Sequence, residues 1–253
     1  MRVVTYNILD GGVGRADPIG EVLEAQRADV VVLVEADDDF VIDRTARRLG
    51  MDVIVAPGRS HRVAILSNLP IVETINHFLI HSGSPRCMLE ARLLTTDGSL
   101  LTVFALHLHA RATIADETIR LAELEVVLRL TKSLRDAGTP HLIVGDFNAD
   151  SPDQRIDVSR CKPSTQDAFV GNGNRIPRDV VSFMFQHGYV DTLAAVHGDR
   201  VGDMTSFTTH EPGQRVDYVF AHCINNIVDA WVETDRLATF ASDHYPVGAE
   251  LVV

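Results

Sequence analysis

Several short, uninterrupted apolar runs, each closed by a polar side chain, constrain this chain more than any other feature. The segments 29–36 (DVVVLVEA), 100–109 (LLTVFALHLH) and 141–145 (HLIVG, followed by Asp146) are of strand length and lack the alternation of a half-exposed strand. Continuous Val/Ile/Leu runs of this kind need cover on both faces. Further β-type runs lie at 2–8, 51–56, 62–68, 71–80, 86–94, 215–221, 227–233 and 245–253. Helical spacing marks 17–28, 38–50 and a long stretch over 113–138, where Ile119, Leu121, Leu124, Val127, Leu128, Leu130 and Leu134 carry the apolar face up to Gly138. More helix is expected near 178–196, and turn signals at 68–70 and 96–99 punctuate successive hairpins. The order is mixed α/β, not strict strand–helix alternation. Two sheets packed face to face, with helices outside, would bury so many strands.

No linker, low-complexity tract or repeat interrupts the 253 residues, so one domain over 1–253 is expected. Three widely spaced cysteines, Cys87, Cys161 and Cys223, lack metal-type pairing and point to a reducing, cytoplasmic setting. The first residues read straight into a strand, and no apolar stretch has the length of a membrane span. The net charge of −12 argues against a processive grip on a long phosphate backbone, which draws its affinity from a basic face. Small phosphoesters held by a metal and a few arginines suit this charge better.

The polar closures of the apolar runs are the candidate chemistry. They are Asn7, Glu35, His107, Asp146 with Asn148, and Asp243-His244 before the last run; Asp217 lies inside another. Strand ends in packed sheets can converge on one rim. Hard carboxylate oxygens suit Mg²⁺, a carboxylate can position water, and cationic or neutral donors can meet charge on phosphorus oxygens. Each position alone also has an ordinary structural reading. Asn7 and Asp243-His244 read as turns, Asp37–Asp39 as a helix cap to which Glu35 could belong, and His107 and His109 as satisfied histidines on one strand face. A buried Asp217 needs a partner, and Arg215 on the same face is the nearest candidate.

Taken in order, TYN at 5–7, VEA at 34–36, LHLH at 106–109, GDFN at 145–148, RVDYVF at 215–220 and SDHYPV at 242–247 resemble the endonuclease/exonuclease/phosphatase superfamily over nearly the whole chain. The resemblance implies a four-layered α/β sandwich of two mixed sheets flanked by helices. It implies Glu35 as the main Mg²⁺ ligand (Mn²⁺ being the alternative ion), with Asn7 beside it and Asp243 at the metal side. Asp146 would activate water, Asn148 would hold it or a phosphate oxygen, and His244, oriented by Asp217, would bind the scissile phosphate. His107 matches a strand histidine that donates to the phosphate or leaving group. Ala105-Leu106 replace the threonine-containing pattern there, and His61 stands where some members carry an acid that supports this histidine, which puts its general-acid role in question.

Arg62, Arg86, Arg111 and Arg160 are candidate phosphate holders. The segment 151–178 carries Arg155, Arg160, Lys162, Arg175 and Arg178 against Asp153, Asp157 and Asp167, and is expected either to greet an anionic substrate near the mouth or to be a solvated loop. The leading reading is a Mg²⁺-dependent phosphoesterase acting on a diester or monoester, with a small molecule or nucleotide favoured as substrate and no protein partner expected. A DNA or RNA nuclease is the alternative within the family, although aromatics make up only 6% and no basic stripe appears. A non-catalytic scaffold would have replaced some of these residues, and a carboxylate-pair glycosidase would leave Asn148 and the histidines idle.

Overall fold

The computed structural model describes residues 1–224 and 226–253. Its strands are β1 (Arg2–Asn7), β2 (Val30–Val34), β3 (Asp52–Pro57), β4 (Arg62–Ser67), β5 (Ile71–Asn76) and β6 (Cys87–Leu94). They continue with β7 (Leu100–His107), β8 (His141–Asp146), β9 (Val190–Asp191), β10 (Asp217–His222), β11 (Asn226–Val232) and β12 (Val247–Val252). The helices are α1 (Ala16–Gln26), α2 (Asp39–Leu49), α3 (Ile114–Leu130), α4 (Lys132–Asp136), α5 (Pro163–Gly171), α6 (Asp179–Gln186), α7 (Thr192–His197) and α8 (Arg236–Ala241). Two six-stranded sheets result, ordered β11-β12-β1-β2-β4-β3 and β5-β6-β7-β8-β10-β9. Each is mixed, with one parallel pair, β1–β2 in the first and β7–β8 in the second.

The uninterrupted apolar runs are explained by three separate packing layers. Val30, Val32 and Val34 of β2 face the second sheet, meeting a layer that includes Leu89, Val103 and Val144. The intervening Val31 and Leu33 pack outward with Ile19 and Leu23 of α1 and Val41 and Ile42 of α2. The second sheet repeats the device, placing Phe104, Ile143 and Phe220 outward among Leu124, Val127, Val181 and Met184. Side chains alternate across a strand, so a strand sandwiched between a sheet and helices is apolar at every position. The four layers expected from the sequence are therefore present.

Local boundaries differ from the sequence reading where a side chain competes with the backbone. The 113–138 stretch is two helices, because Thr131 returns its hydroxyl to the Val127 carbonyl at 3.0 Å, with the Tyr189 hydroxyl oxygen 3.0 Å away, bending the helix there. Ile119, expected on its packed face, is 44% exposed. The run 71–80 ends as a strand at Asn76, whose side chain caps a 3-10 turn over His77–Leu79. The segment 151–178 is not one long solvated loop: it holds a 3-10 turn over Val158–Arg160 and the helix α5. Among the described residues no helix is long and apolar enough to cross a membrane.

A buried histidine in β8 couples this core to pH. His141 donates from one ring nitrogen to the Thr139 carbonyl at 2.7 Å, and its other nitrogen meets the Tyr189 hydroxyl at 2.8 Å. Burial, together with His222 stacked on the ring at 4.9 Å and the nearby Arg135 guanidinium, lowers its pKa to about 4. A histidine kept neutral in the fold contributes stability that is complete above its unfolded pKa, near 6.5, and lost as pH falls toward 4. Stability is expected to decline by on the order of 3 kcal/mol over that window through this group. Urea titrations at several pH values should show the decline, and His141→Gln should flatten it.

Candidate active site

Strand direction assembles the site. β1 and β2 run parallel, as do β7 and β8, so Asn7, Glu35, His107 and Asp146 all leave their strands at one edge of the sandwich. β12 is antiparallel to β1 and β10 is antiparallel to β8, so His244, just before β12, and Asp217, at the start of β10, arrive at the same edge. Asp146 stands directly opposite both His107 and Asp217 in register. Gly145 before it has φ 145°, and a Cβ there would fall 2.0 Å from the Leu106 carbonyl oxygen. Glycine is required because β7 passes so close to β8.

Asp146 is 1% exposed. Its Oδ1 accepts the Asn148 backbone N–H at 2.8 Å, and its Oδ2 accepts the Asn7 side-chain amide at 3.0 Å. His107 Nε2 lies 3.6 Å from the same Oδ2, and His244 Nε2 lies 4.0 Å away. Burial first, then repulsion from Asp217, raise the Asp146 pKa to about 7. Burial works against a charged His244, but the Asp217 carboxylate, accepting Nδ1–H at 2.8 Å, outweighs it and lifts that pKa to about 9. His107 goes the other way: burial, then Arg86, His61 and His244, hold its pKa well below normal. Its Nδ1 is buried with no partner, so no acid supports the ring from behind. The departure at position 61 thus has a structural consequence.

Glu35, at φ 57°, turns its carboxylate back over the end of β1. Its Oε2 accepts the Asp10 backbone N–H at 2.8 Å and its Oε1 the Asn7 side-chain amide at 3.3 Å. Asp243 faces the same space with Oδ2 held by Lys162 Nζ at 2.9 Å and Oδ1 buried without a partner. Glu35, Asp243 and Lys162 border a cavity of roughly 230 Å³ lined also by Arg86, Arg111, Asn148 and Phe207. Carboxylate oxygens of Glu35 and Asp243, one of them buried and unsatisfied, suit a hard divalent cation such as Mg²⁺, whereas Asn7 turns its amide hydrogens to Glu35 and Asp146 and its Oδ1 accepts the Leu9 N–H at 3.0 Å.

Several expectations from the sequence are corrected. Arg215 is not the partner of Asp217: its guanidinium pairs with Asp191 at 2.7 Å, while Asp217 is held by His244 and the Ser206 hydroxyl, the latter at 2.7 Å. Arg62 and Arg160 do not line the cavity, Arg62 being paired with Asp39 at 2.7 Å and Arg160 exposed. Arg155 pairs with Asp203, and Arg178 binds the carbonyls of Ser151, Pro152 and Gln154. Of the five cations in 151–178, Lys162 reaches the cavity. Asp38 alone of Asp37–Asp39 caps α2, whereas Asp37 binds His61. His109 lies beyond the end of β7 and binds Asp116 at 2.9 Å.

Sequence reasoning missed Ser206, Ser242 and Phe207. Ser242 Oγ donates to the Asn7 carbonyl at 2.7 Å and accepts from the His244 N–H at 3.3 Å, tying β1 to the final motif. Its place beside Asp243-His244 was a usable signal. Phe207 lies 4.5 Å from the His244 ring and 4.2 Å below the Lys162 ammonium, a contact no local pattern announces.

Solved structures share the fold across this whole chain. An endonuclease/exonuclease/phosphatase from Beutenbergia cavernae superposes with TM-score 0.71 at 22% identity, covering 98% of this chain and 70% of that one. An AP endonuclease from Archaeoglobus fulgidus gives TM-score 0.71 at 18% identity, with all of both chains covered. The 3′ phosphatase NExo from Neisseria, bound to product DNA hairpin, gives 0.69 at 19%, again with all of both chains covered. No curated protein sequence matches the chain significantly. A sequence model of the Endonuclease/Exonuclease/phosphatase family matches residues 4–244. With strand-end carboxylates and histidines gathered at one edge of a four-layered sandwich, the chain belongs to that family, whose named activities cleave phosphoester bonds.

Proposed function

We propose that this chain is a divalent-metal-dependent phosphoesterase, a single domain over residues 1–253, that hydrolyses a phosphodiester or phosphomonoester by in-line attack of water. The observation that carries this reading is the way Asp217 fixes His244 so that its Nε2 faces Asp146 Oδ2 at 4.0 Å, in a cavity shared with Glu35. Asp146, its basicity raised toward neutrality by burial, takes the proton of the attacking water. His244, kept cationic by Asp217, donates to the phosphoryl oxygens as charge builds on them. Asn148, anchored through Nδ2 to the Leu108 carbonyl at 3.2 Å, holds water or a phosphate oxygen with its remaining oxygen and edge. Neutral His107 hydrogen-bonds the substrate phosphate, and Arg86 and Arg111 at the cavity wall attract it. Glu35, with Asn7 and Asp243, would hold Mg²⁺ or Mn²⁺, which supplies Lewis-acid stabilisation of the developing charge.

The net charge of −12 and the small cavity favour a small phosphoester or nucleotide over a long nucleic acid. Three unpaired cysteines support a reducing, cytoplasmic setting. Hydrolysis of bis-p-nitrophenyl phosphate and p-nitrophenyl phosphate, with Mg²⁺, with Mn²⁺ and with EDTA, tests the chemistry. Turnover is expected with either ion and none in EDTA; turnover that persists in EDTA would sink the reading. A panel of DNA, RNA, nucleotide and phospholipid substrates then separates the small-molecule reading from a nuclease.

A further inference from the structure

Beside the water-handling residues lies a second group of donors that includes a nitrogen. Asp10, Glu35 and His61 each bring one ligand-type atom within 4.8 Å of the others. They come from adjacent strand ends: Asp10 follows β1, Glu35 follows β2, and His61 precedes β4, whose Val63 pairs with Val34. The turn that delivers Asp10 is folded tightly against this edge. Its Gly11, at φ 75°, donates its N–H to the Glu35 carbonyl at 2.9 Å, and a Cβ on Gly11 would sit 2.8 Å from the Asp38 nitrogen.

The orientation of His61 is the informative detail. Its Nδ1 donates to Asp37 Oδ2 at 2.6 Å. The other oxygen of Asp37 accepts the Arg62 N–H at 2.7 Å, so the carboxylate itself is fixed. A carboxylate can only accept, so Nδ1 carries a hydrogen, and Nε2 is the nitrogen that a neutral imidazole offers to a metal. A histidine whose far nitrogen is held by a carboxylate is the usual arrangement of an imidazole that binds a metal. No acceptor role for that nitrogen is visible among the hydrogen bonds of the described residues. In the neighbouring group of Asp146, Asp217 and His244, by contrast, the carboxylate that holds the histidine Nδ1 is itself one of the three, whereas Asp37 stands outside the group of Asp10, Glu35 and His61.

We propose that the metal site of this enzyme is completed by the His61 imidazole, with Glu35 and Asp10 as oxygen ligands and Asp37 as the positioning residue. The site therefore prefers Mn²⁺ or another first-row transition ion to Mg²⁺. Mg²⁺ demands hard oxygen ligands, whereas imidazole nitrogen suits the transition metals. Asp243 holds Lys162 through Oδ2 and keeps Oδ1 free, so it can add a further oxygen from the other side of the cavity. The inference rests on the hydrolase reading for its biological sense, but not for its test.

Pulsed EPR of the full chain loaded with Mn²⁺ reads the ligand directly. A ¹⁴N coupling is expected in the wild type and should vanish in His61→Gln, a substitution at a partly exposed position. Calorimetric titration should show Mn²⁺ binding at least about 10-fold tighter than Mg²⁺, and Asp37→Asn weakening Mn²⁺ by about 10–100-fold. Mn²⁺ bound without ¹⁴N coupling, a coupling that survives His61→Gln, or no Mn²⁺ binding at all would overturn the assignment. Mg²⁺-supported hydrolysis by a protein without the coupling would leave the hydrolase reading standing and sink only this one. Nitrogen-coupled Mn²⁺ in a protein that cleaves no phosphoester would support the ligand set and sink the hydrolase reading instead.

Discussion

Asp146→Asn is expected to lower kcat on bis-p-nitrophenyl phosphate by about 10²–10⁴-fold, the range a positioned general base supplies. The same substitution should raise the melting temperature of the metal-free protein. Asp146 and Asp217 face each other across β8 and β10, both buried, and their ionised carboxylates repel. A carboxyl whose folded pKa is raised to about 7 binds its proton more readily folded than unfolded. Stability is therefore lost as pH rises from the unfolded value, near 4, through 7. At pH 8 the charge is a standing cost that a neutral isostere removes, though its amide would meet the Asn7 amide less well than an oxygen does. Steady-state kinetics beside thermal melts in EDTA at pH 8 check both halves. Activity within about 10-fold of wild type would remove Asp146 from the role of base.

A buried carboxyl set against another, as Asp146 is against Asp217, serves chemistry and not packing, and that conflict made the strand ends readable in the sequence. A polar residue closing an apolar run, as Asp146 closes HLIVG, goes against the local pattern, and such exceptions concentrate where chemistry outweighs packing. The layers were readable for a related reason: runs such as VVVLV are apolar at every position only when both faces are covered. Contacts between distant loops left no such trace. Lys162 and Asp243 are 81 residues apart, and each looks like an ordinary surface charge until the fold joins them. α5 escaped detection because only Thr165 and Ala168 among its residues are buried, too few to write a helical period. His109 was misplaced for want of a boundary: β7 stops at His107, and a strand's alternation says nothing about the residues past its end. His61 marked a departure from the family pattern, but its meaning depended on Asp37, which the sequence presented as part of a cap.

Arg215→Ala is expected to destabilise the protein by about 3–5 kcal/mol, the cost of leaving a buried charge without its partner. Arg215 and Asp191 are both almost fully buried and bonded at 2.7 Å, and the guanidinium also lies 4.6 Å from the Tyr218 ring. Two of its nitrogens, Nε and Nη2, have no partner, so the pair does not recover the full cost of burying it. Breaking the pair should therefore hurt far more than replacing it. Asp191 Oδ1 also accepts the Leu193 N–H at 3.1 Å at the start of α7, a role an amide oxygen can keep. The double substitution Arg215→Met with Asp191→Asn should accordingly recover most of the loss seen in Arg215→Ala alone. For a chain of this size the single substitution corresponds to a fall of roughly 6–20 °C in Tm, and salt should barely alter it because the pair is shielded from solvent. Turnover by the folded fraction should be retained, since Asp217 depends on His244 and Ser206 and not on Arg215. A loss of kcat comparable to that of Asp146→Asn, without a fall in Tm, would instead mean that Arg215 serves Asp217 directly, the arrangement first suggested by their spacing.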